Sequence, residues 1–483
     1  MRTQVFDLNK EAFSSLFRSH FAMELTDDQH TLLRALIEFS FEREKLSLFV
    51  LKGYAGTGKT SMLGAYVKTL TDAKARVKLL APTGRAAKVL AQKSSQSAMT
   101  IHKLIYRRAM SADGAYRVSI TPNLHKNTFF IVDEASMIGD YILQKDGAVS
   151  AQNLLDDLLE YVYSGEGCRL ILLGDEGQLP PVGSNFSPAL NAKYLQQHYP
   201  RLAVNEVRLR QVVRQTEGSS ILQNATDLRS AVEGEFPSFE LAPKGDLIRL
   251  PGEEVQDEIE RSYQEVGKEE TIIITRSNKR ANAYNQQVRG RVMWFEEELS
   301  SGDLLMAVKN NYYWLSDESS MGFIANGEML LVKRVMRTEE LYGFRFAHVR
   351  VDFVDYPNEI EKEIIVLLDT LTVEAPNLPR DEMKKLFFEI GEDYADEKNK
   401  RKRYEKILKN PYFNALQVKY AYAVTCHKSQ GGQWANVFID QGYLTEEMLD
   451  SGYFRWLYTA LTRATEKVYL MNFNPKFFGE ESE

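Results

Sequence analysis

Short, almost wholly apolar runs punctuate a chain whose remaining stretches mix apolar and polar positions at helical spacing. The runs lie at residues 46–51, 77–80, 129–132, 170–173 and 272–274, with later ones at 437–439 and 468–471. They are too short for helices and lack the alternation of a half-exposed strand, so they predict strands buried on both faces, as in parallel sheets. Their alternation with helix-like stretches predicts an α/β chain. The runs fall into two groups, before about residue 200 and after about residue 270, which predicts two α/β domains.

Two stretches interrupt this pattern. Around Asp113-Gly114, residues 104–120 read as a β-hairpin. Residues 300–375 are rich in Tyr, Phe, Val and Leu with turn signals such as Asn326-Gly327, and read as a small β-domain. Residues 380–409 are charged and helical in pattern, acidic first and basic from Lys398 to Lys409. That pattern fits a solvated helix face, and it also fits phosphate contact.

Composition narrows the class. With 44% apolar and 26% charged residues the 483-residue chain is of ordinary globular type, long enough for about three domains. No apolar run reaches the ~20 residues of a membrane span, and the opening MRTQVFDLNKEAFSS lacks the apolar core of a signal peptide. Cys168 and Cys426 suggest neither a disulfide framework nor a metal site, so a reducing cytoplasm is expected. The net charge of −7 argues against coating nucleic acid by bulk charge but leaves room for a local basic channel.

The chemistry begins at residues 53–60, Gly-Tyr-Ala-Gly-Thr-Gly-Lys-Thr, which match the P-loop pattern after a strand and before a helix. Gly53, Ala55, Gly56, Thr57 and Gly58 would wrap phosphates with backbone N–H groups. Lys59 would neutralise the terminal phosphates of ATP, and Thr60 would ligate Mg²⁺. Asp133-Glu134, at the end of the run 129–132, supplies a carboxylate for the Mg²⁺ shell and a second one to polarise the attacking water. Residues 174–183, Gly-Asp-Glu-Gly-Gln-Leu-Pro-Pro-Val-Gly, follow another buried run. Gln178 there can orient a water or sense a phosphate, and Pro180-Pro181 stiffens the loop. Upstream, Gln29 can read an adenine edge or simply belong to a helix capped by Thr26 or Asp27.

In order along the chain, residues 25–29, 53–60, 81–87 (Ala-Pro-Thr-Gly-Arg-Ala-Ala), 100–102, 133–137, 174–183, 210–215 (Arg-Gln-Val-Val-Arg-Gln), 424–431 (Val-Thr-Cys-His-Lys-Ser-Gln-Gly) and 458–464 (Tyr-Thr-Ala-Leu-Thr-Arg-Ala) resemble the motif set of superfamily 1 DNA helicases, most of all the RecD-like and Dda-like branch. The resemblance runs from about residue 21 to 472. It implies two RecA-like domains with parallel sheets, a hairpin insertion at about 103–127 and an SH3-like β insertion. The expected boundaries are 1–200 for the first RecA-like domain, 201–299 and 413–483 for the two parts of the second, and 300–412 for the insertion with its helical segment. The Gln-Leu-Pro-Pro-Val-Gly loop is the type carried by members that move 5′ to 3′.

The resemblance also assigns roles. Arg214 and Arg463 become arginine fingers for the γ-phosphoryl charge, and Gly431 joins the nucleotide contacts. Thr83, His102, Thr425, His427 and Lys428 fall where the family lines its single-strand track. The hairpin matches the place of a strand-splitting pin, and Tyr312, Tyr313 and Trp314 can meet DNA or form the core of the β-domain. The implied activity is ATP- and Mg²⁺-dependent unwinding of tailed duplex DNA by a monomer, serving repair, recombination or replication, with no membrane partner. An ATPase subunit without unwinding of its own and an RNA-directed enzyme are the rival readings; no second carboxylate cluster suggests a nuclease.

Overall fold

The computed structural model describes residues 8–42, 46–110, 116–140, 153–213, 219–232, 240–315, 319, 321 and 323–480. The strands, in chain order, are β1 (Leu46–Gly53), β2 (Arg76–Ala81), β3 (Ala98–Thr100), β4 (Tyr106–Met110), β5 (Tyr116–Ile120), β6 (Thr128–Val132), β7 (Arg169–Gly174), β8 (Leu202–Leu209) and β9 (Leu247–Leu250). They continue with β10 (Thr271–Thr275), β11 (Leu304–Ala307), β12 (Met329–Leu341), β13 (Phe344–Phe353), β14 (Lys362–Leu367), β15 (Leu416–Tyr420), β16 (Ala423–Thr425), β17 (Trp434–Asp440) and β18 (Ala464–Met471). Every predicted apolar run lies inside one of them.

Six strands form a parallel sheet in the order β3-β2-β6-β7-β1-β8. Alternate residues of its central strands serve two cores. Phe49, Leu51, Phe129, Ile131, Ile171 and Leu173 pack with helices Lys10–His20, Asp27–Phe41 and Lys59–Asp72. Leu48, Val50, Phe130, Val132, Leu170 and Leu172 pack with helix Leu154–Ser164 on the other face. This double burial is why these strands read as continuous apolar runs. A second parallel sheet, β16-β10-β17-β18-β9, repeats the plan. The carboxyl ends of both sheets carry the motif loops, the usual place for ligands in open α/β sheets.

Between β10 and β16 a closed barrel, β11-β12-β13-β14-β15, is inserted. It matches the expected small β-domain and is sealed by a parallel β14–β15 pair. Helices Arg380–Glu392 and Lys400–Leu408 cover it through Leu386, Ile390 and Ile407, which pack with Phe344 and Phe346. β4 and β5 pair antiparallel as the predicted hairpin, whose tip lies outside the described residues.

Two expected boundaries shift. β8 completes the first sheet, so that sheet runs beyond residue 200. As a half-exposed strand it carries Asn205, Glu206 and Arg208 and gives no apolar run. β15 belongs to the barrel through its pairing with β11 and β14, although it follows residue 413. Among the described residues, no helix is long and apolar enough to cross a membrane.

Candidate nucleotide and nucleic-acid site

β1 ends at Gly53, and helix Lys59–Asp72 starts at Lys59. The turn between them puts Gly56 and Gly58 at φ of 80° and 82°. Gly58 also abuts Gln29: a Cβ there would lie 2.7 Å from Gln29 Nε2, so conformation and space both require glycine. The resulting succession of backbone N–H groups at a helix N-terminus is a nest for an anion of phosphate size. Lys59 Nζ donates to Gly53 O and, at 2.8 Å, to Tyr54 O, and lies 3.9 Å from Asp175 Oδ2. Thr57 is fully buried and donates to Tyr54 O, so its hydroxyl braces the loop. Ala55 takes part through its N–H, described below, and Thr60 is half-buried beside Lys59 at the helix start.

Gln29 is almost wholly buried. Its side chain accepts from Thr26 N at 3.2 Å in a capping box and donates to Thr57 O at 3.3 Å. The capped-helix reading therefore holds, and the same residue props the P-loop.

Asp133 and Glu134 follow β6. Asp133 Oδ1 accepts from Glu134 N at 2.9 Å, and Glu134 takes a left-handed φ of 54°. Desolvation in the cleft pushes both carboxyls above the usual range. For Asp133 the Glu134 N–H bond and Lys59 oppose this; for Glu134, Arg463 opposes it most. The opposition by Arg463 places its charge within electrostatic reach of Glu134 from the other α/β region.

The loop after β7 is held from both sides of the cleft. Asp175 Oδ1 accepts from Gly177 N at 2.9 Å, while Asp175 Oδ2 accepts from Tyr458 OH at 2.7 Å. The Tyr458 hydroxyl in turn accepts from Ala55 N of the P-loop at 2.9 Å. Leu179 N donates to Thr459 Oγ1 at 2.8 Å, and Leu179 O accepts from Gln430 Nε2 at 2.7 Å. Between them sits Gln178, buried, with its Oε1 lacking a hydrogen-bond partner among the described residues. A cavity of about 460 Å³ opens beside Asp175, Gln178 and Tyr458, bordering the P-loop at Tyr54.

Helix Ser451–Leu461 brings Tyr458 and Thr459 to this cleft, and Arg463 follows it. The Arg463 guanidinium is buried and donates to Thr459 O, Gly432 O and Thr462 Oγ1. Gly431, at φ 73°, lies so close to helix Gly84–Ser94 that a Cβ would come 2.9 Å from Ala86 Cβ. Arg214 lies outside the described residues.

Of the expected track residues, Thr83 caps helix Gly84–Ser94, its hydroxyl accepting from Ala86 N at 3.2 Å. That leaves its O–H free to donate. Thr425 precedes the short helix Cys426–Ser429 without a side-chain capping bond. His427 and Lys428 are half-buried. Burial lowers both, Lys428 to about 8 with help from Lys419. His102 packs between Tyr106 and Phe323, and burial holds it down at about 4, hence neutral at physiological pH. Trp314 donates to Asn414 O and packs with the barrel core, and Tyr312 stacks on Phe323, so these two rings serve packing.

Residue-by-residue reading passed over Asp175, Tyr458, Thr459 and Gln430. All four lie inside segments that carry the resemblance, so their signal was position within a motif.

Residues 24–242 match the family model of an AAA domain, and residues 420–471 match that of a UvrD-like helicase C-terminal domain. The chain is 30% identical over 211 residues to the ATP-dependent RecD2 DNA helicase of Deinococcus radiodurans, covering 42% of this chain and 25% of that one. It is 23% identical over 273 residues to the ATP-dependent DNA helicase Dda of Enterobacteria phage T4, covering 55% of this chain and 57% of that one. In both of these comparisons the chain is similar to ATP-dependent DNA helicases. It spans less than two thirds of the length of either of those two relatives. A solved structure of Pif1 helicase from Bacteroides in complex with ADP-AlF3 and ssDNA aligns over 95% of both chains at 16% identity and a TM-score of 0.47. The two family matches fall on opposite sides of the cleft: the first holds the P-loop, the second holds Tyr458, Thr459 and Arg463. The barrel is inserted between the two matched segments of the chain.

Proposed function

We propose that the chain is an ATP-driven helicase that moves 5′ to 3′ along single-stranded DNA and separates the duplex ahead of it. The observation that carries this reading is the double attachment of Leu179, by N–H to Thr459 and by carbonyl to Gln430, one residue after Gln178. A side chain beside the terminal phosphate is thereby tied to the second α/β region, and a stiff Pro-Pro pair follows it. Any shift of Gln178 with nucleotide state is passed across the cleft as relative motion of the two regions.

At the nucleotide, the nest of residues 53–60 wraps the phosphates, and Lys59 exchanges its carbonyl partners for the β- and γ-phosphate oxygens. The unpartnered Gln178 Oε1 is an acceptor suited to orient the attacking water, which Glu134 polarises. Arg463 stabilises charge on the γ-phosphoryl oxygens, and Arg214 is a second candidate for that role. Thr60, next to Lys59 at the helix start, and Asp133, whose carboxyl feels the Lys59 charge, would hold Mg²⁺, which supplies neutralisation of phosphate charge. Thr83, Thr425, His427 and Lys428 form the phosphate track along the carboxyl ends of both sheets, with His102 acting there as a neutral ring.

Unwinding of matched duplexes with a 5′ or a 3′ single-stranded tail tests the proposal. Strand release should require ATP and the 5′ tail. Release only from the 3′-tailed substrate would overturn the direction. ATP hydrolysis stimulated by single strands without any release would favour an ATPase subunit, and stronger stimulation by RNA than by DNA would favour an RNA-directed enzyme.

A further inference from the structure

Helix Gly84–Ser94 carries Thr83 at its N-terminus, yet its first turns are gripped by the inserted barrel. Glu328 stands just before β12, its backbone fixed by bonds from its N–H to Ala325 O and from Ala307 N to its carbonyl. Its side chain is 2% exposed and presses on Gly84: a Cβ built there would lie 1.8 Å from Glu328 Oε1. Beside it, Asp355 is 4% exposed and takes Lys88 Nζ on Oδ1 at 3.3 Å, with Arg85 at 3.9 Å. Lys88 also donates to Val354 O. Arg85 reaches across to Gln433 O at 2.7 Å and stacks on Trp434, so one helix N-terminus meets both the barrel and the second sheet. Among the described residues, Glu328 Oε2 and Asp355 Oδ2 are both buried without a hydrogen-bond partner.

Two adjacent buried carboxyls with orphan oxygens are costly if both are charged. Burial and the charge of Asp355 push Glu328 up to about 8, so it is largely the neutral acid at pH 7. The charged and titratable groups around it are Asp355 and Tyr356 on the barrel and Arg85 and Lys88 on the helix. An uncharged carboxyl of this shape is a plug: it fills the space that a side chain at residue 84 would occupy and orients the turn behind Thr83.

We propose that Glu328 is a positioning residue, through which the barrel sets the N-terminus of helix Gly84–Ser94 and so the phosphate grip at Thr83. The proposal rests on the nucleic-acid reading of Thr83 above. It makes the barrel part of the grip although it lies far from the nucleotide in sequence.

The test uses the full chain carrying Glu328→Ala, Glu328→Gln or Gly84→Ala. Three readouts are compared: anisotropy of a fluorescein-labelled oligothymidylate, binding of a fluorescent ATP analogue, and amide hydrogen exchange over residues 84–88. Glu328→Ala and Gly84→Ala should each weaken oligonucleotide binding by about fivefold or more and speed exchange over 84–88, with nucleotide binding held within about twofold. Glu328→Gln, which keeps shape and neutrality, should behave as the unaltered chain. Oligonucleotide binding and exchange both unchanged in Glu328→Ala would overturn the proposal, as would Glu328→Gln failing as badly as Glu328→Ala. If the unaltered chain does not bind the oligonucleotide, the nucleic-acid reading fails instead, and the exchange data still decide whether Glu328 sets the helix.

Discussion

The Tyr458 hydroxyl donates to Asp175 Oδ2 at 2.7 Å while accepting from the P-loop N–H of Ala55 at 2.9 Å. One buried phenol thus joins the P-loop, the loop that carries Gln178 and the helix that precedes Arg463. Removing it with Tyr458→Phe leaves a buried carboxylate oxygen and an amide each short of a partner, at a cost of about 1–3 kcal/mol. A lowered melting temperature should accompany this. The more telling expectation is a fall in kcat for single-strand-stimulated ATP hydrolysis with little change in nucleotide affinity, because the two sides of the cleft lose a common reference point. Lost stability with undiminished kcat would reduce Tyr458 to a packing role.

Lys59 already sits inside the nest, bonded to Gly53 O and Tyr54 O. Lys59→Ala removes these bonds from one loop side chain and leaves both cores of the sheet untouched, so the fold should survive, with a circular dichroism spectrum like that of the parent. ATP hydrolysis should fall by at least about 10²-fold, since the cation proposed to face the terminal phosphates is gone. Oligonucleotide binding should persist. Full unwinding by this variant would contradict the placement of the chemistry at residues 53–60.

The parallel sheets were legible because burial on both faces writes itself as unbroken apolar runs, as at Phe129 and Phe130, which point into opposite cores. β8 was not, because an edge strand with Asn205, Glu206 and Arg208 looks like loop until its partner is known. In the site, glycines 56 and 58, Lys59 and Asp133 carry chemistry that single residues reveal. Tyr458 and Gln430 do not: a buried tyrosine and a glutamine near a glycine are common, and only the meeting of two chain segments about 280 residues apart, as in the Tyr458–Asp175 bond, gives them a role. Glu328 was silent for the same reason, since its environment is made by Gly84 and Asp355 from distant parts of the chain.

Arg463 is buried and spends its donors on Thr459 O, Gly432 O and Thr462 Oγ1, with its charge felt at Glu134. In the role proposed for it, such a pre-oriented guanidinium would stabilise transition-state charge without reorganising. Arg463→Ala should therefore reduce hydrolysis by about 10³-fold or more while ATP-analogue affinity changes only slightly. Arg463→Lys should rescue little, because a point charge cannot hold three acceptors in one plane. A large loss of nucleotide affinity at preserved kcat would point to ground-state binding instead.

Glu328 gives the fold a pH signature. Its carboxyl is raised to about 8, so the folded chain keeps a proton that an unfolded glutamate has released at the same pH. Between the ordinary carboxylate range and about 8 the folded state binds more protons than the unfolded one. Stability from this site therefore falls as pH rises across that window and levels off above it. Each pH unit inside the window carries at most about 1.4 kcal/mol. Glu328→Gln has no such proton to lose, while every other titrating group is shared with the parent. The stability of the variant minus that of the parent, from urea midpoints between about pH 5 and pH 9, should rise with pH up to about 8 and then hold constant. Parallel curves for the two chains would show that Glu328 is ionised throughout and that the carboxyl against Gly84 is not neutral.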